Sequence, residues 1–251
     1  MAHNTEIHFE SYQAFVNGLD QPAHASNDLR GSSEEGSGGW AGTETYAEAM
    51  NLLRHGWPEG TAKLKKALAG TNLTITRLEP AFDVTGLVFD LDRVLAGEPE
   101  DMLYFMDTPD GQAKFVTVYV QLDYPCSRKA NEVIERGACV LSKIQQLELD
   151  GTRVKIVGYF RGQARNNKLQ HTMVLKHFEH GLEIDRMAFA LVHPSMCRRF
   201  FFRLAEQIEK DKYYSRAYGH AIALDSVPAG AVHVTHSHFS TGQIAQCFNL
   251  N

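Results

Sequence analysis

The sequence predicts an α/β fold, a mixed or mostly parallel sheet flanked by helices, and three observations carry that prediction. The run Phe115-Val116-Thr117-Val118-Tyr119-Val120-Gln121-Leu122 is β-branched and aromatic, the composition of a buried strand. Residues 129–149 place Val133, Ile134, Ala138, Leu141, Ile144 and Leu147 at helical spacing. A second strand pattern occupies residues 153–160, just beyond the helix stop Asp150-Gly151. Strand, helix and strand of this length form a crossover, which favours parallel pairing.

From the N-terminus, residues 10–19 predict a helix with Tyr12, Phe15, Val16 and Leu19 on one face. Residues 27–39 are rich in Gly and Ser and predict a flexible loop, with no Lys-Ser/Thr ending to make it a phosphate loop. Thr45 and Glu48 have capping-box spacing before a stripe of Tyr46, Ala49, Met50 and Leu53, and Gly56 is the stop. A basic helix at 61–68 follows Trp57-Pro58. Strands are expected at 73–78 and 82–89, a helical turn at 91–96 and an apolar run at 102–106. Beyond the central unit, 169–178 and 187–192 predict strands and 194–210 a helix with Pro194 in its first turn. The expected organisation is a helical N-terminal extension over 1–70 and a three-layer α/β domain over 71–251.

A chain of 251 residues with 43% hydrophobic and 22% charged residues has the composition of a globular protein. It contains no run of about 18 apolar residues and no basic, then apolar, leader at its start, so a cytoplasmic protein without membrane contact is expected. The four cysteines, Cys126, Cys139, Cys197 and Cys247, are far apart and read as reduced thiols. The net charge of −5 hides a partition. Residues 1–150 hold 12 Lys and Arg against 23 Asp and Glu, whereas residues 151–220 hold 13 against 6. Segregation of this kind suggests a surface that faces a polyanion.

Signatures of kinases, P-loop enzymes, dinucleotide-binding folds and serine hydrolases are absent from the sequence. The carboxylates Asp83, Asp90, Asp92, Glu98, Glu100 and Asp101 lack a recognisable spacing and read as an acidic loop. His233, His236 and His238 form a cluster in which an extended strand would turn His236 and His238 to one face. No metal site is assigned, and these three histidines are the candidates for one. Asp123, Pro125 and Ser127 stand at first, third and fifth places of the turn that ends the first central strand. There the chain resembles the metal-binding turn of von Willebrand factor A-like domains over about 45 residues. Pro125 offers no oxygen side chain, so the resemblance implies a strand–helix–strand unit and no metal.

The basic stretch carries the functional expectation. Arg153, Lys155, Arg161, Arg165 and Lys168 surround Tyr159 and Phe160. Arg198, Arg199 and Arg203 interleave with Phe200, Phe201 and Phe202, of which one or two must be core. Lys210, Lys212, Tyr213, Tyr214, Arg216 and Tyr218 follow. Cations that track phosphates, mixed with aromatic faces that stack bases, are how single-stranded nucleic acid is held. Residues 161–168 are polar and Gly-containing and predict an exposed loop.

The segments Trp40-Ala41-Gly42-Thr43-Glu44-Thr45-Tyr46-Ala47-Glu48-Ala49, His55-Gly56-Trp57-Pro58-Glu59-Gly60, Ala96-Gly97-Glu98-Pro99, Glu135-Arg136-Gly137-Ala138 and His193-Pro194-Ser195-Met196-Cys197-Arg198-Arg199-Phe200 carry a further likeness. Through them the chain resembles a bacteriophage and mobile-element protein family. With its basic–aromatic stretch it is also similar to a podovirus single-stranded-DNA-binding cofactor that recruits a phage RNA polymerase. This resemblance implies a non-enzymatic, phage-encoded transcription or replication factor in the host cytoplasm. Its partners would be single-stranded DNA and a phage RNA polymerase or replication protein, with no cofactor and with self-association left open. The alternative is a von Willebrand A-like protein-interaction module that binds no nucleic acid. A metal-dependent enzyme built on the histidines is third.

Overall fold

The computed structural model describes residues 3–69, 81–83, 88–89, 95, 102–104, 114–164, 166–210 and 220–249. In chain order these form β1 (Asn4–Phe9), α1 (Tyr12–Leu19), a 3-10 turn (Ser32–Glu34), α2 (Gly38–Ala41), α3 (Tyr46–His55) and α4 (Pro58–Ala69). Three short strands follow, β2 (Ala81–Asp83), β3 (Val88–Phe89) and β4 (Met102–Tyr104). Then come β5 (Lys114–Gln121), α5 (Ala130–Leu149), β6 (Thr152–Ala164), β7 (Asn167–Lys176) and α6 (Ile184–Val192). A π-helical segment (Met196–Phe201), α7 (Phe202–Glu206), β8 (His220–Ala221), β9 (Val232–Val234) and α8 (Thr241–Cys247) complete the described chain. The expected strand at 73–78, most of the turn at 91–96, and the acidic residues Asp90, Asp92, Glu98, Glu100 and Asp101 lie outside the described residues.

The fold is the mixed α/β class that the strand–helix–strand unit predicts. The main sheet has the order β1-β7-β6-β5-β9, with β8 also on β6. Pairings β5–β6, β5–β9 and β1–β7 are parallel, and β6–β7 and β6–β8 antiparallel. Strand β1 was not anticipated: Thr5, Ile7 and Phe9 alternate with polar residues as a half-buried strand requires, but only two of the three are large and apolar. Strands β2, β4 and β3 make a separate antiparallel sheet.

Alternation along β5 and β6 divides the main sheet into two unlike faces. Val116, Val118, Val120, Val154, Ile156 and Phe160 are buried on one face, with Leu169 and Met173 of β7. They form the core with Phe15 of α1, Val140, Leu141 and Ile144 of α5, Phe189 of α6, Phe200 of the π-helical segment and Ile244 of α8. Helix α5 comes so close to α6 that a Cβ on Gly137 would sit 2.4 Å from the Leu191 carbonyl oxygen, so glycine is required there.

Three expectations are corrected. Residues 187–192 are helix, not strand, because Met187 to Val192 are buried on every side and a short apolar run does not distinguish the two. The expected helix at 194–210 begins as a π-helical segment, in which six successive residues, Met196 to Phe201, are all buried. The Gly/Ser-rich stretch at 27–39, although largely exposed, is pinned by hydrogen bonds to two buried charges. Arg199 donates to the carbonyl oxygens of Ser33 (3.1 Å), Glu35 (2.6 Å) and Thr43 (2.8 Å). The Glu206 carboxylate accepts from the Gly31 N–H at 3.0 Å and the Ser33 hydroxyl at 3.1 Å. Two buried charges thereby satisfy the backbone of a segment that has little regular structure of its own.

His171 of β7 is fully buried, with its ring stacked on Phe9 and edge-on to Phe201. Neither ring nitrogen has a hydrogen-bond partner among the described residues. Burial pushes its pKa down to about 3, and burial lowers His193 to about 4. Unfolded, both rings take up a proton near pH 6.5. Stability conferred by the neutral rings is therefore complete above that pH and is lost as the pH falls toward 4 and then 3.

Two outcomes are expected. Replacing Arg199 with Met should cost roughly 3 kcal/mol in urea unfolding, since several carbonyls lose their donor, and should open residues 27–44 to proteolysis. His171→Phe should reduce the loss of stability between pH 7.5 and pH 5 by about 2 kcal/mol relative to the parent.

Candidate functional site

Two places in the molecule gather chemistry, the polar face of the sheet and the carboxyl ends of its parallel strands. On the polar face, register sets the neighbours. Phe115 pairs with Arg153, Thr117 with Lys155, Tyr119 with Val157 and Gln121 with Tyr159. On β7, Thr172 stands beside Tyr159, Gln170 beside Arg161 and Lys168 beside Gln163. His8 of β1 shares this face, with its Nδ1 2.6 Å from the Thr172 hydroxyl. Phe115 is 61% exposed, with its ring edge-to-face with Phe178, and Arg153 is exposed next to it. Lys155, Lys168 and Tyr119 are half-buried.

At the carboxyl ends of β5, β6 and β9 a continuous polar network replaces the apolar alternation. Gln121 is its centre. Its Nε2 donates to the Ile222 carbonyl oxygen (2.9 Å) and to Asp123 Oδ1 (3.2 Å). Both of those partners are acceptors, which fixes the amide orientation. Its Oε1 accepts from the Tyr159 hydroxyl (3.2 Å), the His236 backbone N–H (2.8 Å) and His236 Nδ1 (3.0 Å). The Tyr159 hydroxyl also lies 2.7 Å from His233 Nε2. Arg136 of α5 reaches across to donate to the carbonyl oxygens of Gln121 (3.0 Å), Thr235 (3.2 Å) and His238 (3.0 Å). Burial lowers the Arg136 pKa to about 10, which leaves it charged at neutral pH.

Asp123 ends this network at the mouth of a cleft. It is buried, and its Oδ1 accepts from the Arg161 backbone N–H at 3.2 Å. Its Oδ2 has no partner among the described residues. Burial raises the carboxyl pKa to about 7, against the smaller opposing pull of the Arg161 N–H and Gln121. The cleft, of about 660 Å³, is walled by Trp40, Tyr124, Phe201 and Phe202, with Cys126, Cys197, Glu35 and His220 also on its lining.

The sequence-derived site residues have separate fates. Arg153, Lys155 and Lys168 lie on the polar sheet face. Arg161 shares that face but is buried, with its guanidinium donating to the Ala223 carbonyl oxygen (2.6 Å) and to Asp225 (2.7 Å). Tyr159 is buried in the Gln121 network, so its ring offers no face for stacking. Arg198 and Arg199 are buried as well. Arg198 donates to the backbone carbonyls of Trp40 and Arg128 and lies over the Trp40 ring. Lys210 pairs with Asp28 at 2.6 Å. Arg165, Lys212, Tyr213, Tyr214, Arg216 and Tyr218 lie outside the described residues. The described part of the expected 161–168 loop is instead the end of β6 and the start of β7, paired up to Ala164 with Asn167. Phe200 and Phe201 are core, as the helical spacing required, and Phe202 turns to the cleft.

The histidines do not share one strand face, because β9 stops at Val234 and His236 and His238 belong to the turn after it. His238 Nδ1 accepts from the Thr235 N–H at 3.1 Å and lies 3.2 Å from Cys247 Sγ. Among the described residues no group of three His, Cys, Asp or Glu side chains could hold a metal ion. Sequence reasoning missed Gln121 and Arg136. Their signals were a lone amide ending an apolar strand, and a charge on the apolar stripe of α5 four residues before buried Val140.

Fold and site together define an α/β protein with a parallel strand–helix–strand unit and a polar network at its strand ends. The chain matches, over residues 2–240, the family described as Domain of unknown function (DUF7192), and it belongs to that family. No curated protein and no solved structure matches it. No helix among the described residues is long and apolar enough to cross a membrane.

The raised Asp123 pKa carries a sign. The folded carboxyl keeps its proton to about 7, whereas the unfolded one releases it near 4. Its contribution to stability is therefore complete below pH 4 and is lost as the pH rises through 7. Asp123→Asn should gain stability relative to the parent between pH 4.5 and 7.5, measured by urea unfolding at several pH values. A constant difference across that range would show an ordinary carboxylate.

Proposed function

We propose that the protein binds single-stranded DNA on the polar face of its sheet and acts as an accessory factor in transcription or replication. The observation that carries this reading is Phe115, a large aromatic side chain kept 61% exposed and paired in register with the exposed Arg153. Thr117 with Lys155 and Tyr119 with Val157 continue the same rows. A sheet that presents aromatic rings with cations beside them can stack bases and track phosphates at once. The interface is narrower than the basic stretch as a whole, since Arg161, Arg198 and Arg199 are committed to internal acceptors. In this reading the cellular context is a phage transcription or replication complex, with the acidic N-terminal part turned to a protein partner.

A second reading, a protein-interaction module, is favoured by the parallel β5–α5–β6 unit and its exposed turn at Pro125 and Cys126.

Fluorescence anisotropy with a labelled oligonucleotide separates the two. Single-stranded DNA should bind more tightly than duplex, and binding should weaken steeply between 50 and 200 mM salt. Phe115→Ala should lose roughly 1–3 kcal/mol of binding, the worth of one stacked base. Arg153→Ala with Lys155→Ala should flatten the salt dependence by roughly one to two phosphate contacts. Undetectable binding at 50 mM salt removes this reading in favour of the interaction module.

A further inference from the structure

Strand β1 closes one edge of the main sheet, and among the described residues no strand lies beyond it. The opposite edge, β9, is three residues long, whereas β1 holds six in unbroken register with β7. The Lys168 N–H donates to the His3 carbonyl oxygen at 2.9 Å, which fixes the phase of this parallel ladder. Thr5, Ile7 and Phe9 therefore turn their main-chain groups to β7, and Asn4, Glu6 and His8 turn theirs to the open side. Asn4, Glu6 and His8 are also exposed. Folded proteins blunt such edges with proline, lysine, a bulge or a covering element. Strand β1 contains no proline or lysine, and its register with β7 carries no shift.

This edge is complementary to itself. In antiparallel pairing with a second copy, the outward-turned residues become the hydrogen-bonded pairs, so the possible registers differ by steps of two residues. One register opposes Glu6 to Glu6, and another opposes Glu6 to Glu10; like charge disfavours both. The register centred on Ile7 opposes Glu6 to His8 on both sides of the axis, a carboxylate against an imidazole. Each of those pairs exchanges both of its main-chain hydrogen bonds. Thr172, 2.6 Å from His8 Nδ1, and Glu10, 3.4 Å from Nε2, hold the His8 ring on the polar face, the side on which Glu6 of the second copy arrives. On the opposite face the same register sets Ile7 against Ile7 and Thr5 against Phe9. Ile7 and Phe9 are half-buried and pack on the core, so a second copy would extend that core across the axis.

We propose that β1 is a self-association edge, through which two copies of the chain pair antiparallel about a twofold axis at Ile7 to form one continuous sheet. The axis stands perpendicular to the sheet, so the two polar faces lie side by side. The proposal is independent of the reading of that face as a nucleic-acid surface. One pair of strands buries less than a standard interface, which sets the expected Kd in roughly the micromolar range.

Sedimentation velocity of the full-length protein from about 1 to about 200 µM tests the proposal, since that range brackets a micromolar Kd. The mass should rise from monomer to dimer across it. Glu6→Pro removes a main-chain N–H that points off the sheet, so the circular dichroism of the monomer should be kept while association weakens by roughly tenfold or more. Glu6→His sets imidazole against imidazole, and His8→Glu sets carboxylate against carboxylate; each alone should weaken association roughly tenfold. Their equimolar mixture again joins a carboxylate to an imidazole in every pair and should regain the parent affinity. A monomer throughout the range, a dimer indifferent to Glu6→Pro, or a mixture no tighter than either variant alone overturns the proposal. Should Glu6→Pro fail to fold, the mixture of the two charge variants decides alone.

Discussion

Eight consecutive parallel rungs between β5 and β6 are the constraint on which the rest of the molecule depends. Parallel register sets Gln121, at the end of β5, beside Tyr159, from which β6 runs on to Ala164. It also locks the pleat, which sends Val116, Val118 and Val120 to one face and Phe115, Thr117 and Tyr119 to the other. A slip of β6 by one residue would bury Arg153 and Lys155 under the helices and expose Val154 and Ile156. Helix α5 makes this register attainable, because only a crossover of its length can return the chain to the starting edge. Gly137 lets α5 lie against α6 closely enough to seal the apolar face.

The cations of the basic stretch work largely as internal scaffold. Arg199 and Glu206 bind a stretch of backbone that lies more than 150 positions away in the sequence. Arg136 joins helix α5 to two strand ends, and Arg161 anchors the segment that follows β8. A guanidinium suits this task because its planar array of donors can serve several carbonyl oxygens at once and keeps its charge when buried. The π-helical geometry of 196–201 belongs to the same arrangement: it turns Arg198 and Arg199 inward together, one toward the aromatic cleft and one toward the 27–44 segment. The basic excess of residues 151–220 therefore measures the surface charge poorly. Among the described residues of that stretch, Arg153 and Arg186 are exposed, and Lys155 lies half-buried in the row beside Phe115.

Legibility in the sequence followed the range of the interactions. The central strands, α5 and the capped helix α3 rest on periodicity and caps within twenty residues, and the expectations for them agree with the fold. Residues 187–192 were misread because complete burial erases the period that separates helix from strand. The Gly/Ser-rich segment was misread because the groups that order it are far away in the chain. The candidate site lay in between. Asp123 was singled out by its position at a strand end, but its unpartnered oxygen and raised pKa arise from burial in the folded chain. Gln121 and Arg136 broke the apolar pattern around them, and such interruptions mark a buried polar network that composition alone does not resolve.

By itself, the sequence determined the class of this protein. Period-two and period-3.6 patterns dictate which elements form and which side of each must be buried, since burial of apolar area is a local property of the pattern. Only the tertiary structure decided what each charge does. An arginine in the sequence is equally suited to a phosphate in solvent or to a ring of carbonyls in the interior. Which one it meets depends on the backbone that long-range packing brings within about 3 Å of its nitrogens. For Arg199 that backbone belongs to the N-terminal segment, for Arg198 it comes from Trp40 and Arg128, and for Arg153 none arrives among the described residues.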